Sequence, residues 1–261
     1  EDFHTLNFGW LGSINEKVVE DYLIDHKEIR NLIMVHHETT TGRLNHLSGI
    51  GQLCKDYDIN MYLDGVSSFG AEEILANQIN LKAIASSANK CLHAAPGISF
   101  VLAHRDQWEK KQNKPLGVYF DLYQYYKMQR DNGFSPFTQA THLVAAFHEA
   151  IIEFINEGGW TNRNKLFTNR AELIYYSLQK SGIESLIPLS EFSSVLRSYK
   201  LPKNIQYDDL HRFMKANGFI IYQGQGSFEG EIFRISTMGD IEESEILILC
   251  SLFEDFFLNY G

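Results

Sequence analysis

The stretch SSANKCLHAAPGISFVLAHRD, residues 86–106, decides how this chain is read. Its first residues close a small, apolar run beginning at Leu81, the composition of a strand buried on both faces. Lys90 then arrives, and the chain turns through Pro96-Gly97 into a second apolar run, ISFVLA at 98–103. A lysine is seldom buried unless it is paired or has work to do. Lys90 therefore asks for a partner or a task.

Working back from it, the same rhythm recurs. NLIMV (31–35) and INMYLD (59–64) have the apolar runs of strands, while EKVVEDYLIDHKEI (16–29) and HLSGIGQLCKDY (46–57) have helical spacing. Strands alternating with helices predict an α/β fold, a mostly parallel sheet flanked by helices on both faces. Polar residues collect where the strands end: His36-His37-Glu38 with Thr39-Thr40-Thr41-Gly42, then Asp64, then Asn89-Lys90. In open α/β sheets the ligand crevice lies at the carboxyl ends of the strands. Three strand ends thus point to one place.

Working forward, ATHLVAAFHEAIIEFIN (140–156) and NKLFTNRAELIYYSLQKSG (164–182) predict long helices, the second long enough to link two domains. Beyond it come strand SSVLRSYKL (193–201), helix DDLHRFMKANG (208–218), strands FIIYQG (219–224) and EIFRIST (231–237), and a closing helix at 242–260. This predicts a large domain over 1–163, a linking helix over 164–182 and a smaller C-terminal α+β domain over 183–261. GQGS at 224–227 reads as a hairpin turn rather than a phosphate cradle.

Composition narrows the function classes. The 261 residues are 44% hydrophobic and 21% charged, with a formal net charge of −10. No basic run marks a nucleic acid or an anionic membrane as partner. Cys54, Cys91 and Cys250 form no spaced set, which predicts a reducing cytoplasm rather than a disulfide scaffold. The apolar run ILILCSLF is too short to span a bilayer. His36-His37 has no third ligand at a sensible spacing, so no metal is expected there.

An amine near a carboxylate and a threonine cluster suits one chemistry in particular. A lysine made neutral by partial burial attacks carbonyl carbon. Pyridoxal phosphate exploits this: it needs a lysine for its aldehyde, an acid for its ring nitrogen and donors for its phosphate and phenolic oxygen. Asp64 and Lys90, 26 residues apart, suit one strand–helix–strand step with both groups in a common crevice. Taken singly, an aspartate at a strand end more often caps a turn and a lysine past a strand more often lies in solvent. Spacing alone allows the site without requiring it.

The motifs HHETTTGRLNHLSGIGQLC, YLDGVSSFGAEEI, SSANKCLHAAPGISFVLAHRD and EIFRISTMGDI occur in one order over nearly the whole chain. They resemble the 2-aminoethylphosphonate–pyruvate transaminases, class V aminotransferases of pyridoxal phosphate fold type I. The resemblance implies that Lys90 holds the cofactor covalently and that Asp64 partners its pyridine nitrogen. It also implies that Thr41 lies near the phenolic oxygen and that Ser87 and Asn89 assist the phosphate. FSPFTQATH (134–142) is similar to a family segment whose threonine, here Thr138, reaches the neighbouring subunit's phosphate, which implies a homodimer. Arg234 matches the arginine that holds the substrate carboxylate, a task for a planar guanidinium.

Gln139-Ala140 and Ala94-Ala95 depart from the family pattern. Family members also begin earlier, with a glycine-rich phosphate-binding turn and a stacking aromatic residue, and this chain starts at Glu1-Asp2. We therefore expect residues N-terminal to it. The implied reaction is amino transfer from 2-aminoethylphosphonate to pyruvate. The alternatives are another class V aminotransferase acting on alanine, serine or glyoxylate, or a truncated, non-catalytic chain that keeps the fold. A cysteine desulfurase is disfavoured, since neither Cys91 nor Cys250 offers a sulfur on a mobile loop.

Overall fold

The computed structural model describes residues 3–109 and 117–260. Helix α1 (Glu16–Asp25) starts where Asn15 accepts the Val18 N–H, as a side-chain cap should. It leads to strand β1 (Asn31–Val35), then to a small hairpin of β2 (His37–Glu38) and β3 (Arg43–Leu44), and on to α2 (Leu47–Asp56). Strands β4 (Asn60–Asp64), β5 (Leu81–Ser87) and β6 (Ser99–Ala103) follow.

The four long strands form one sheet in the order β1-β4-β5-β6. β1, β4 and β5 run parallel, with Val35 beside Asp64 and Asp64 beside Ala85. β6 returns antiparallel, pairing Ser99 with Ser87. A mostly parallel sheet is what the alternating elements predicted.

Alternation along the strands sorts the two faces. Met34, Met61, Leu63 and Ile84 pack against Val19 and Leu23 of α1 and Leu47, Ile50 and Cys54 of α2. Burying each such aliphatic side chain contributes roughly 1.5–3 kcal/mol. The opposite face presents Ile33 (71% exposed), Val35 (41%) and Ala85 to the outside. The β5 run is therefore not buried on both faces as its composition suggests. Ala85 is exposed, and alanine tolerates either setting.

A second core belongs to the C-terminal part. Helices α3 (Arg105–Glu109), α4 (Leu122–Asn132), α5 (Thr141–Asn156) and α6 (Gly159–Lys180) lead to it. There β7 (Leu196–Lys200), β8 (Tyr222–Gln223) and β9 (Ile232–Ser236) form an antiparallel sheet ordered β7-β9-β8. Tyr199, Phe233 and Ile235 pack against Ile174 and Leu178 of α6, Leu210 and Met214 of α7 (Tyr207–Ala216), and Phe253 and Phe256 of α8 (Glu243–Tyr260). The Gln225–Phe228 stretch, with one 3-10 turn, joins β8 to β9, the hairpin role expected of GQGS. A small cluster of Ala71, Cys91, Phe167 and Val195 lies between the two cores. No helix among the described residues is long and apolar enough to cross a membrane.

Candidate active site

The parallel register draws three strand ends together. The His36 N–H donates to the Asp64 carbonyl (3.0 Å) and the Gly65 N–H to the Ala85 carbonyl (2.9 Å). Asp64 is exposed at the end of β4, and its carboxylate accepts the Val66 N–H at 2.9 Å. That one bond leaves most of its acceptor capacity free.

Lys90 lies in the turn after β5, half-buried, and makes no hydrogen bond or ion pair among the described residues. The turn itself is pinned. The His93 N–H donates to the Lys90 carbonyl (2.9 Å) and the Ala94 N–H to the Ala88 carbonyl (3.0 Å). Arg163 of α6, 2% exposed, donates from Nη1 to the Cys91 carbonyl at 2.6 Å. Its other arm pairs with Glu157 and its plane lies over Phe154. Cys91 is fully buried, and that burial pushes its thiol up to about 12. It is an inert packing residue, consistent with the case against a desulfurase.

Beside Lys90 sits His37, 3% exposed. Its Nδ1 lies 2.8 Å from the Ser67 carbonyl, which can only accept, so Nδ1 carries the proton. Burial pushes its pKa down, and the Lys90 charge pushes the same way. Nε2 is buried without a partner among the described residues. His36 bonds Ser68 Oγ at 3.0 Å, and burial, then His37 and His46, lower its pKa to about 3. Both histidines are neutral groups at the strand ends, and neither joins a metal-ligating trio among the described residues.

Across the hairpin, Glu38 organises the threonines. Its carboxylate accepts the Thr40 N–H (2.6 Å), the Thr41 N–H (2.9 Å) and the Thr41 hydroxyl (2.7 Å). Burial alone would raise its pKa, but these bonds from Thr41 and Thr40 outweigh it and hold Glu38 ionised. Thr41 is wholly buried, and its hydroxyl proton is committed to Glu38 rather than aimed outward. Arg234 of β9 arrives on the same turn. Its Nε donates to the Gln223 carbonyl (2.9 Å) and its Nη1 to the Thr39 carbonyl (3.0 Å), with Glu38 close enough to act on its charge. Two of a guanidinium's five donors are thus spent, leaving the rest for an anion.

Of the remaining sequence candidates, Ser87 has a buried hydroxyl with no partner among the described residues, and Asn89 is exposed. Thr138 lies in the exposed loop between α4 and α5, with no hydrogen bond to the crevice residues among the described residues. Sequence reasoning missed Glu38, Arg163 and Glu72 as organisers. Glu72 is 6% exposed and accepts from the hydroxyls of Ser193 (2.6 Å) and Ser194 (2.8 Å), the Ser194 N–H (2.7 Å) and Asn164 (3.1 Å). An acid inside the polar SSFGAEE segment, near no charge of opposite sign in sequence, carries no local mark of such a role.

Of two cavities of about 440 and 450 Å³, one lies beside Lys55, Lys82 and His104 and the other is lined by His36, Glu72, Trp160 and Asn164. Neither is lined by Lys90 or Asp64, so the convergence of functional groups, not cavity size, marks the site.

Comparison with known proteins bears on both the family and the fold. The pattern of the family described as Aminotransferase class-V matches residues 4–242. A 2-aminoethylphosphonate–pyruvate transaminase of Bacillus cereus (strain G9842) is 36% identical over 230 residues, covering 87% of this chain and 63% of the relative. A bifunctional phosphonoacetaldehyde hydrolase/aminoethylphosphonate transaminase of Clostridioides difficile (strain 630) is 32% identical over 257 residues, 97% of this chain and 40% of the relative. The chain thus spans less than two thirds of either relative's length. Among solved structures, ureidoglycine–glyoxylate aminotransferase from Bacillus subtilis superposes with a TM-score of 0.87 at 22% identity, covering 98% of this chain and 67% of that one. Pyridoxamine–pyruvate aminotransferase from Mesorhizobium loti gives 0.84 at 23%, covering 95% and 64%. These last two speak for the fold.

Proposed function

This chain belongs to the class V aminotransferase family, whose cofactor is pyridoxal phosphate, and from that premise we propose that it moves an amino group from 2-aminoethylphosphonate to pyruvate, giving phosphonoacetaldehyde and alanine. One observation carries the reading: an unpaired lysine in a pinned turn, at the strand ends that also present Asp64. The names of the relatives that match most of this chain support the phosphonate donor.

The residues fit the cofactor. Ser87 keeps a buried hydroxyl without a partner among the described residues, which a phosphate oxygen would satisfy. Lys90 would hold the aldehyde carbon, Asp64 the ring nitrogen, and Ser87 and Asn89 the phosphate. Thr41, buried and committed to Glu38, would shape the turn rather than donate to the phenolic oxygen. Bound there, the cofactor supplies an electron sink that lets the bond between the substrate's amine-bearing carbon and its hydrogen break. Lys90 Nζ carries the proton away from that carbon and returns it later as acid. Asp64 keeps a proton on the ring nitrogen by offering a negative charge. Arg234 orients the carboxylate of pyruvate or alanine with its unspent donors. Thr138 would serve a second copy of the chain, in a homodimer. The division at 163 and 183 remains our reading, supported by the two separate apolar cores.

Borohydride reduction of cofactor-loaded, full-length protein followed by peptide mapping tests the site. A pyridoxyl label on Lys90 is expected, and a label on another lysine would reject the assignment. A panel of amine donors with pyruvate tests the substrate: 2-aminoethylphosphonate should give the highest kcat/KM, and preference for alanine, serine or glyoxylate chemistry would move the chain elsewhere in the family.

A further inference from the structure

Away from the crevice, the segment before α1 and the loop after it bring three metal-binding side chains together. His4, His26 and Glu28 each offer one donor atom, and these atoms lie within 4.8 Å of one another. His26 caps the C-terminal end of α1, and its Nδ1 lies 2.9 Å from the Tyr22 carbonyl. A carbonyl accepts only, so Nδ1 carries the proton and Nε2 keeps its lone pair for a ligand. His4 Nδ1 is 2.8 Å from the Tyr22 hydroxyl, which leaves its Nε2 facing Glu28, 4.0 Å from Oε1. The Tyr22 ring stacks on His26 with centroids 4.0 Å apart. One tyrosine therefore holds both imidazoles by their Nδ1 atoms, the support that metal-ligating histidines receive from outer partners.

Two imidazoles and a carboxylate form a donor set for a borderline divalent ion such as Zn²⁺. They are too poor in oxygen for Ca²⁺ or Mg²⁺. Bonds of about 2.0–2.2 Å place tetrahedral donors roughly 3.3–3.6 Å apart, so these atoms need to close by about an ångström. His4 and Glu28, with side chains 32% and 65% exposed, have room to swing inward. We propose that His4, His26 and Glu28 form a surface Zn²⁺ site whose fourth position is held by water. The metal would tie the segment 3–14, which has no helix or strand, to the end of α1. The buried thiols Cys54, Cys91 and Cys250 are not competing ligands.

The test is Zn²⁺ titration, by calorimetry, of full-length, metal-stripped protein carrying no histidine tag, with Co²⁺ absorbance reporting the geometry. One equivalent of Zn²⁺ should bind the parent. His26→Ala and Glu28→Gln should each weaken binding by about tenfold or more and remove the rise in Tm that Zn²⁺ gives the parent. Glu28 is exposed, so its variant keeps the fold; should His26→Ala fail to fold, His4→Ala carries the same expectation. No binding by the parent, or unchanged affinity in either variant, overturns the site.

Discussion

Arg234 braces the structure while keeping donors for the recognition proposed above. It spans from β9 to the threonine turn by donating to the Thr39 and Gln223 carbonyls, while Glu38 balances its charge. Lysine has one nitrogen and no planar fork, so Arg234→Lys cannot brace the turn and grip a carboxylate in the same geometry. Losing such a charge-assisted contact costs about 2–4 kcal/mol, which is roughly a 30-fold or larger fall in kcat/KM for pyruvate. Bound-cofactor absorbance should survive, since Lys90 and Asp64 are untouched. Unchanged pyruvate kinetics would reduce Arg234 to a turn brace. Lys90 and Asp64 stood out in the sequence because polar residues close apolar runs there, and the structure sets both at neighbouring strand ends. Glu38 did not, because its importance lies in three hydrogen bonds that only the folded turn creates.

At the scale of elements, the hairpin carrying those threonines depends on Gly42. Its φ of +85° is a left-handed conformation, and a Cβ there would sit 2.7 Å from the Leu196 carbonyl oxygen and 3.0 Å from the Phe192 ring. Neither neighbour is the loose end of a flexible chain: one is backbone of β7 and the other is packed against Tyr199. Gly42→Ala should therefore destabilise the protein by about 1–3 kcal/mol, read as a lower Tm, and should also weaken pyruvate use by displacing Thr39. An unaltered Tm would mean the hairpin shifts freely. The core strands were visible in sequence because continuous apolar runs bounded by turns survive folding unchanged. β8 was overread: FIIYQG shrinks to Tyr222–Gln223, since only these residues pair with β9 while Ile220 is left 54% exposed. α6 was underread at its start, because Gly158-Gly159 and the polar WTNRN stretch conceal a helix that begins at Gly159 with a left-handed cap.

The molecule as a whole should be sensitive to acid. His36 and His37 are buried and neutral, with burial as the main cause of their lowered pKa values. The unfolded chain takes up their protons below the ordinary value near 6.5, whereas folded His36 resists until about 3. Stability is therefore fully present above about pH 6.5 and is lost as pH falls from there towards 3, by at most about 1.4 kcal/mol per pH unit for each histidine. Denaturant midpoints between pH 7 and 5 measure the slope; His36→Asn should flatten it, and an equal slope in that variant would exclude His36 as a source. A last consequence concerns the order in which the chain comes together. Glu72 waits for Ser193 and Ser194, Arg43 for Glu191, and Thr39 for Arg234, separations of 121 to 195 residues. During synthesis from the N-terminus, the first sheet can assemble while Glu72, Arg43 and the threonine turn still face water, and closing such long loops carries an entropy cost that delays them. Under the proposed function, competence is thus a late event in this chain's folding: the hairpin that Arg234 braces takes its final shape only after the distant β9 has been made and has found it.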